Sequence, residues 1–233
     1  YRRTVLGPLW LLIGPSLFIT VLGLLYAEIG AAEPEVFIPH LAIGLITWTL
    51  INGFIVGSAT VFQRSRPQIL QGTQSLDDII AVDVTTTILS FIHQLPIIVI
   101  VFLIYEIGLN WIAFESFLGI SLLVANGIWT SYVFGILGAR YRDLVEIFNA
   151  AMRIAFLATP IIWMPGEGMQ GGVMAAFLIY NPFYHFVEVI RAPLLGQSPA
   201  LLSWSVVFGI TAAGFLAAWI LKKRYVRLVP FWL

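Results

Sequence analysis

Six stretches of the chain, at about 9–29, 38–62, 84–106, 116–138, 147–164 and 200–221, run almost wholly apolar, and short polar segments separate them. Each approaches the roughly 20 residues that a helix needs to cross about 30 Å of hydrocarbon. Lipid offers backbone N–H and C=O groups no partners, so such stretches are predicted to be helices. Between the fifth and sixth lie two further apolar runs, Val173–Tyr180 and Phe183–Leu195, each too short to span. Asn181-Pro182 divides them, and a residue before proline is disfavoured in a helix. The pattern predicts an all-α, polytopic membrane protein: one transmembrane domain over residues 1–233 with six spans.

Charge then orients the spans. Arg2, Arg3, Arg64, Arg66, Arg140, Arg142, Lys222, Lys223, Arg224 and Arg227 all fall at one set of span ends, ten of the twelve basic residues. The opposite loops hold Glu28, Glu33, Glu35, Glu106, Glu115 and Glu167, with Arg191 as their only basic residue. By the positive-inside rule both termini are expected to be cytoplasmic. Residue 165 is then external and residue 222 internal, which leaves one net crossing between them. The two short runs therefore predict an external re-entrant helical hairpin at about 166–198, tolerated at that depth only inside protein or beside a water-filled cavity.

Composition narrows the class further. The chain is 60% hydrophobic and 10% charged, with a formal net charge of +0 and no cysteine, and its mean hydropathy is +0.95. Bulk attraction to nucleic acid, disulfides and thiol chemistry are excluded on that basis. The sequence opens at Tyr1 rather than Met and shows no recognisable cleavable signal peptide, so further native residues are expected ahead of it.

Polar positions inside the spans carry the remaining signal. Asp83, Thr86, Ser90 and His93 or Gln94 recur at steps of three and four, one helical face, and Asn126 and Thr130 do the same in the fourth span. Such a stripe in lipid points at other helices or at water. Gly53 and Gly57 form a small-xxx-small pair suited to close helix approach. Arg153, about 9 Å past the start of the fifth span at the usual helical rise, either snorkels to the surface or pairs with Asn149. The charged stretch GARYRDLVEI at 138–147 has a local explanation, with Asp143 capping the next helix, Glu146 completing a capping box, and Arg142 pairing with Glu146. Catalysis finds little footing. His40, His93 and His185 are scattered, no clustered metal-ligand spacing occurs, and no GxxxxGK[ST] phosphate loop exists.

Four stretches taken together point to a family. YRRTVLGPLW at 1–10, RYRD at 140–143, ATPIIWMP at 158–165 and YNPFYHFVEVIRAPLL at 180–195, in that order and spacing, resemble the permease subunits of bacterial ABC exporters of lipid-linked polysaccharides. Those exporters carry O-antigen, capsule or teichoic acid. The resemblance implies a multi-pass half-transporter of the bacterial cytoplasmic (inner) membrane that pairs with a second copy of itself and with two separate ATP-binding subunits. ATP and Mg would sit on those partners, and no cofactor is expected on this chain. An amphipathic surface helix precedes the first span in that family, and the resemblance implies that this chain is expected to begin within or just after it.

The resemblance also distributes roles. The cytoplasmic loop at 63–79, with Arg64, Arg66, Gln74, Asp77 and Asp78, would dock on the ATPase, although Asp77 and Asp78 could equally cap the third span. Arg140, Tyr141, Arg142 and Asp143 would form the cytoplasmic mouth. Asn181, Pro182, His185, Glu188 and Arg191 would gate the external exit, Glu188 and Arg191 pairing at i,i+3. A cargo on polyprenyl pyrophosphate, or another lipid-linked glycan, brings anionic phosphates to the membrane surface. Arg2 and Arg3, beside Trp10, are the candidates to receive them. Membrane lipids are the other expected contact, and nucleic acid is not. A permease for a drug or a lipid is the alternative reading, and a lipid-modifying enzyme would need a catalytic cluster that the sequence does not contain.

Overall fold

The computed structural model describes residues 7–30, 33–165 and 172–233. Its regular elements are ten helices, α1 Trp10–Glu28, α2 Pro34–Arg64, α3 Arg66–Leu70, α4 Leu76–Ile104, α5 Glu115–Arg140, α6 Leu144–Ala158, α7 Gly172–Tyr180, α8 Pro182–Leu194, α9 Leu201–Tyr225 and α10 Val229–Trp232. No strand occurs among the described residues. Among the described residues five segments, built on α1, α2, α4, α5 and α9, are long and apolar enough to cross a membrane.

Local chemistry sets the boundaries. Pro34 opens α2 at a position where its missing N–H costs nothing. Ser75 accepts from the Asp78 amide while the Asp78 carboxylate accepts from the Ser75 amide, a reciprocal capping box that starts α4. Gly196, at φ +81°, stops α8: its N–H reaches Pro193 O at 3.0 Å and the Gln197 N–H reaches Ala192 O at 2.9 Å, the bond pair of a left-handed glycine C-cap.

The fifth apolar stretch departs from its expected form. It was predicted to run helical from 147 to 164, but α6 ends at Ala158 and Thr159–Pro165 is not helical. Thr159 precedes Pro160 and takes an extended conformation, φ −92° and ψ 137°, the region that a following proline favours. Fifteen residues rise only about 22 Å, short of a full crossing. The corner before it is also corrected. Asp143 sits at the N-cap of α6 with helical backbone angles and makes no side-chain capping bond, because an effective cap needs an extended residue whose side chain can turn back to the amides. Among the described residues Arg142 and Glu146 form no ion pair.

Helix α2 is the axle of the bundle. It packs most extensively on α5 and α4 and also meets α1, α6 and α8, and Leu41, Ile43, Ile46, Leu50, Phe54 and Phe62 are all but fully buried along it. The close approach of α5 rests on glycine. At Gly138 an added Cβ would run into the Ala59 carbonyl, and at Gly127 into the Phe54 ring. The expected small pair on α2 contributes at Gly53, which faces Thr87 of α4, whereas Gly57 meets only the tip of Arg64. Gly135 adds to the α2–α5 approach against Val61 and Phe62, whereas Gly119 lies against Val189 and Ile190 of α8. Leu17, Val21 and Leu24 on α1, Val99 and Leu103 on α4, and Leu216 and Trp219 on α9 stay exposed. That periphery is too apolar for water and suits lipid.

Candidate functional site

The end of α6 poses a problem that the rest of the molecule solves. A helix that stops leaves its last carbonyls without partners, and inside a bilayer each such group is costly. Here the carbonyls of Ala158 and Pro160 find side-chain donors, and His40 lies against those of Pro160 and Trp163. Asn181 Nδ2 donates to Ala158 O at 3.3 Å and to Thr159 Oγ1 at 3.1 Å. Arg191 Nη1 donates to Pro160 O at 2.6 Å. His40 Nε2 lies 3.1 Å from Pro160 O, 3.2 Å from Trp163 O and 3.1 Å from Arg191 Nη1. Protonated on Nε2 it donates to the carbonyls; protonated on Nδ1 it accepts from Arg191.

The donors arrive on α8 because that helix starts and turns where it does. The Asn181 side chain also accepts from the Phe183 amide at 3.0 Å and the Tyr184 amide at 3.4 Å, so one residue both caps α8 and holds the break, with Pro182 at the first helical position. Glu188 Oε2 pairs with Arg191 Nη2 at 2.7 Å, as the i,i+3 spacing predicts. His185 is buried and bridges outward, Nδ1 to Ser203 Oγ at 2.9 Å and Nε2 to Ile179 O at 2.8 Å, tying α8 to α9 and to the end of α7. Trp48 of α2 packs edge-on against Phe183, ring centroids 5.4 Å apart, and tilted against Phe156 of α6 at 5.7 Å. The result is a latch: α8 holds the broken end of α6 against α2 through a buried guanidinium. His40 is the member that sequence reading missed. It stands 151 residues from Arg191, and no spacing rule connects them.

At the opposite, basic end of the bundle a second group of predicted residues meets. Arg64 Nη2 donates to Asp83 Oδ1 at 2.8 Å and to Gly57 O at 2.9 Å, so α2 is braced on α4. Asp77 is engaged within the chain. Both its oxygens lie 2.8 Å from Lys222 Nζ, and Tyr132 OH donates to Oδ1 at 2.8 Å. This exposed triad links α4, α5 and α9, and Lys222→Ala is expected to cost less than about 1 kcal/mol because exposed pairs gain little over water; chemical denaturation of the variant checks it. Asp78 is occupied by its capping box, whereas Gln74 lies exposed in the turn.

The RYRD corner is exposed, and Arg140 lies between two aromatic faces, Tyr141 at 5.4 Å and Trp232 at 5.2 Å. Helix α10, which carries Trp232, buries Val229 and packs on α5 and α3. Gln63, Arg66 and Arg142 border one cavity of about 250 Å³ with Ala139 and Leu233. Sequence spacing alone could not join 63–66 to 140–142; the packing of α2 on α5 does, with Gln63 Nε2 donating to Gly138 O at 2.6 Å. Trp10 is exposed on α1, and Arg2 and Arg3 lie outside the described residues.

The remaining polar stripes divide. Gln94 is buried and receives the Thr49 hydroxyl at 2.9 Å, while Thr86, Ser90 and His93 turn back to carbonyls of their own helix, at 2.7, 2.9 and 2.6 Å. Asn126 joins α5 to α9 by donating to Thr211 Oγ1 at 2.7 Å, whereas Thr130 bonds within α5. Among the described residues no group of three or more His, Cys, Asp or Glu could hold a metal ion.

Several long apolar helices around an enclosed central one, with polar side chains spent on stitching helices together, define a multi-pass α-helical membrane protein. No family model matches the chain. Two curated proteins do, and both bear out the resemblance to polysaccharide-export permeases. The O-antigen export system permease protein RfbA of Myxococcus xanthus is 22% identical over 194 residues, covering 82% of this chain and 74% of that protein. The O-antigen export system permease protein RfbA of Klebsiella pneumoniae is 23% identical over 185 residues, covering 78% and 70%.

Proposed function

We propose that this chain is the membrane-spanning half of an ATP-driven exporter that moves a lipid-linked polysaccharide across the bacterial cytoplasmic membrane. The observation that carries the reading is the similarity to two O-antigen export permeases over about four-fifths of the chain. It is a transport subunit rather than an enzyme, and ATP hydrolysis belongs to two copies of a separate subunit. A second copy of the chain completes the passage, and the cargo is a glycan on polyprenyl pyrophosphate or another lipid. O-antigen is the first cargo to try; capsule and teichoic acid are chemically similar alternatives.

In this reading the basic end faces the cytoplasm. Helices α7 and α8 form the external re-entrant hairpin, and α6 together with its latched break makes the fifth crossing. The ATPase meets the surface formed by 63–79 and 140–143. With Asp77 and Asp78 engaged inside the chain, the exposed Arg66, Gln74 and Arg142 are left to make that contact. Exchanging Arg66→Glu and Arg142→Glu together is expected to reduce ATPase co-purification about tenfold, the effect of losing roughly 1.4 kcal/mol. Retained stoichiometric binding would remove the docking assignment.

The function itself is tested by reconstituting the permease with its ATPase and measuring stimulation of hydrolysis. A polyprenyl-pyrophosphate-linked O-antigen is expected to stimulate; stimulation by unglycosylated lipids or drugs alone would defeat the polysaccharide reading. A cysteine introduced at 143 and labelled from outside intact cells would defeat the orientation.

A further inference from the structure

Helices α2 and α6 leave an open groove of about 520 Å³ between them, and its lining is out of character with the rest of the periphery. Elsewhere on the long helices exposed polar side chains such as Thr20, Thr86, His93, Ser121 and Ser205 bond back to carbonyls of their own helix. In this groove Asn52, Asn149 and Arg153 stand beside Trp48 and Phe156. Among the described residues, no side chain or carbonyl pairs with these two amides or the guanidinium. That contrasts with Asn126, Asn181 and Arg191, each of which is bonded to a neighbouring element. Arg153 neither pairs with Asn149 nor joins the other arginines at the basic end.

Depth makes the arrangement costly unless it faces something polar. Arg153 lies nine residues into α6, roughly 14 Å along the axis from Leu144, and Asn52 lies twelve residues from the basic end of α2, roughly 18 Å. Both are well inside a hydrocarbon layer of about 30 Å. An exposed arginine at that level is expensive against lipid and is found where a helix faces water, protein or a polar ligand. The chemistry narrows the ligand. Two amides and a guanidinium offer donors and acceptors of the kind that hydroxyl groups use. Phe156, half-buried at the groove, offers an aromatic surface suited to the C–H faces of pyranose rings, with the buried Trp48 packed behind it. An open trough rather than an enclosed pocket lets a polymer slide.

We infer that the α2–α6 groove is a sugar-contacting surface of the translocation path, with Asn52, Asn149 and Arg153 bonding hydroxyls of the moving glycan beside Trp48 and Phe156. The inference rests on the proposed function and deepens it by placing the sugar.

The cysteine-free sequence makes the test direct. Single cysteines at 52, 149 and 153, with others at the lipid-suited positions 99 and 216 as references, are examined in the permease–ATPase complex in proteoliposomes. The probe is a charged, membrane-impermeant thiol reagent, and the ligand is a polyprenyl-pyrophosphate-linked O-antigen. Groove positions are expected to react about tenfold faster than the references, in keeping with a polar setting, and the glycan is expected to slow them. The triple replacement Asn52→Leu, Asn149→Leu, Arg153→Met is expected to weaken glycan stimulation of ATP hydrolysis about tenfold, equivalent to about 1.4 kcal/mol of binding.

Labelling as slow as at 99 and 216, with or without crosslinking between copies, means lipid or a partner helix covers the groove and overturns the inference. Fast labelling that the glycan leaves unchanged overturns it too. If the triple variant fails to assemble, the labelling results decide by themselves. A cysteine-free parent that the glycan does not stimulate defeats the function reading and this inference together, whereas a stimulated parent with a dry groove defeats only the latter.

Discussion

Replacing Arg191 with leucine is expected to destabilise the protein by about 3 kcal/mol or more and to abolish export. Its side chain is 5% exposed, and the guanidinium donates at once to Glu188 and to the Pro160 carbonyl. Removing one partner from a buried ion pair typically costs about 3–5 kcal/mol, because the other charge is left stranded. Glu188 retains 22% side-chain exposure, which places the estimate at the lower end. The Pro160 carbonyl just past α6 loses the donor from Nη1 as well, which leaves only His40 within reach of it. Arg191→Lys keeps the charge but not the fork, so it should fall between leucine and the parent. Thermal unfolding in detergent, read alongside surface polysaccharide, checks the order. A leucine variant as stable as the parent would mean that the latch does not hold the break.

Replacing Gly138 with leucine is expected to be comparably damaging, for a reason unrelated to charge. The new Cβ would be driven into the Ala59 carbonyl on α2, and backbone cannot rotate away as a side chain can. Overpacking costs about 1–3 kcal/mol where neighbours can yield, and here α2 and α5 must separate along their largest contact. Gly209→Leu on α9 supplies the comparison: nothing lies within 4 Å of its added Cβ, and near-parental stability is expected. Equal effects at the two positions, measured by the same detergent melts, would show that close α2–α5 approach is not required.

Much of this architecture was legible from order alone. Apolar runs of spanning length can only be helices in lipid, so α1, α2, α4, α5 and α9 follow directly from hydropathy. Asn181-Pro182 announced the break between α7 and α8, and the three-residue step from Glu188 to Arg191 announced their ion pair. Short-range rules succeeded there because the interacting groups share one helix. They failed at Asp143, where a capping box is written in the sequence but the residue keeps helical angles, and at α6, where averaged hydropathy carried a helix through Pro160.

The candidate site divides along the same line. The residue types of the hairpin were visible, and with them the expectation that buried ionisable groups must pair or meet water. What they pair with was not. His40 and Arg191, Asn181 and Ala158, Arg140 and Trp232 are brought together by helices whose relative positions no periodicity encodes. The groove of Asn52, Asn149 and Arg153 exists only because α2 and α6 pack at one particular rotation. Sequence determined that this chain lives in a membrane as helices, since the solvent allows no other backbone solution. The tertiary structure decided which polar groups were spent on holding helices together and which were left in an open groove without a partner, because that depends on side-chain packing between elements distant in the chain.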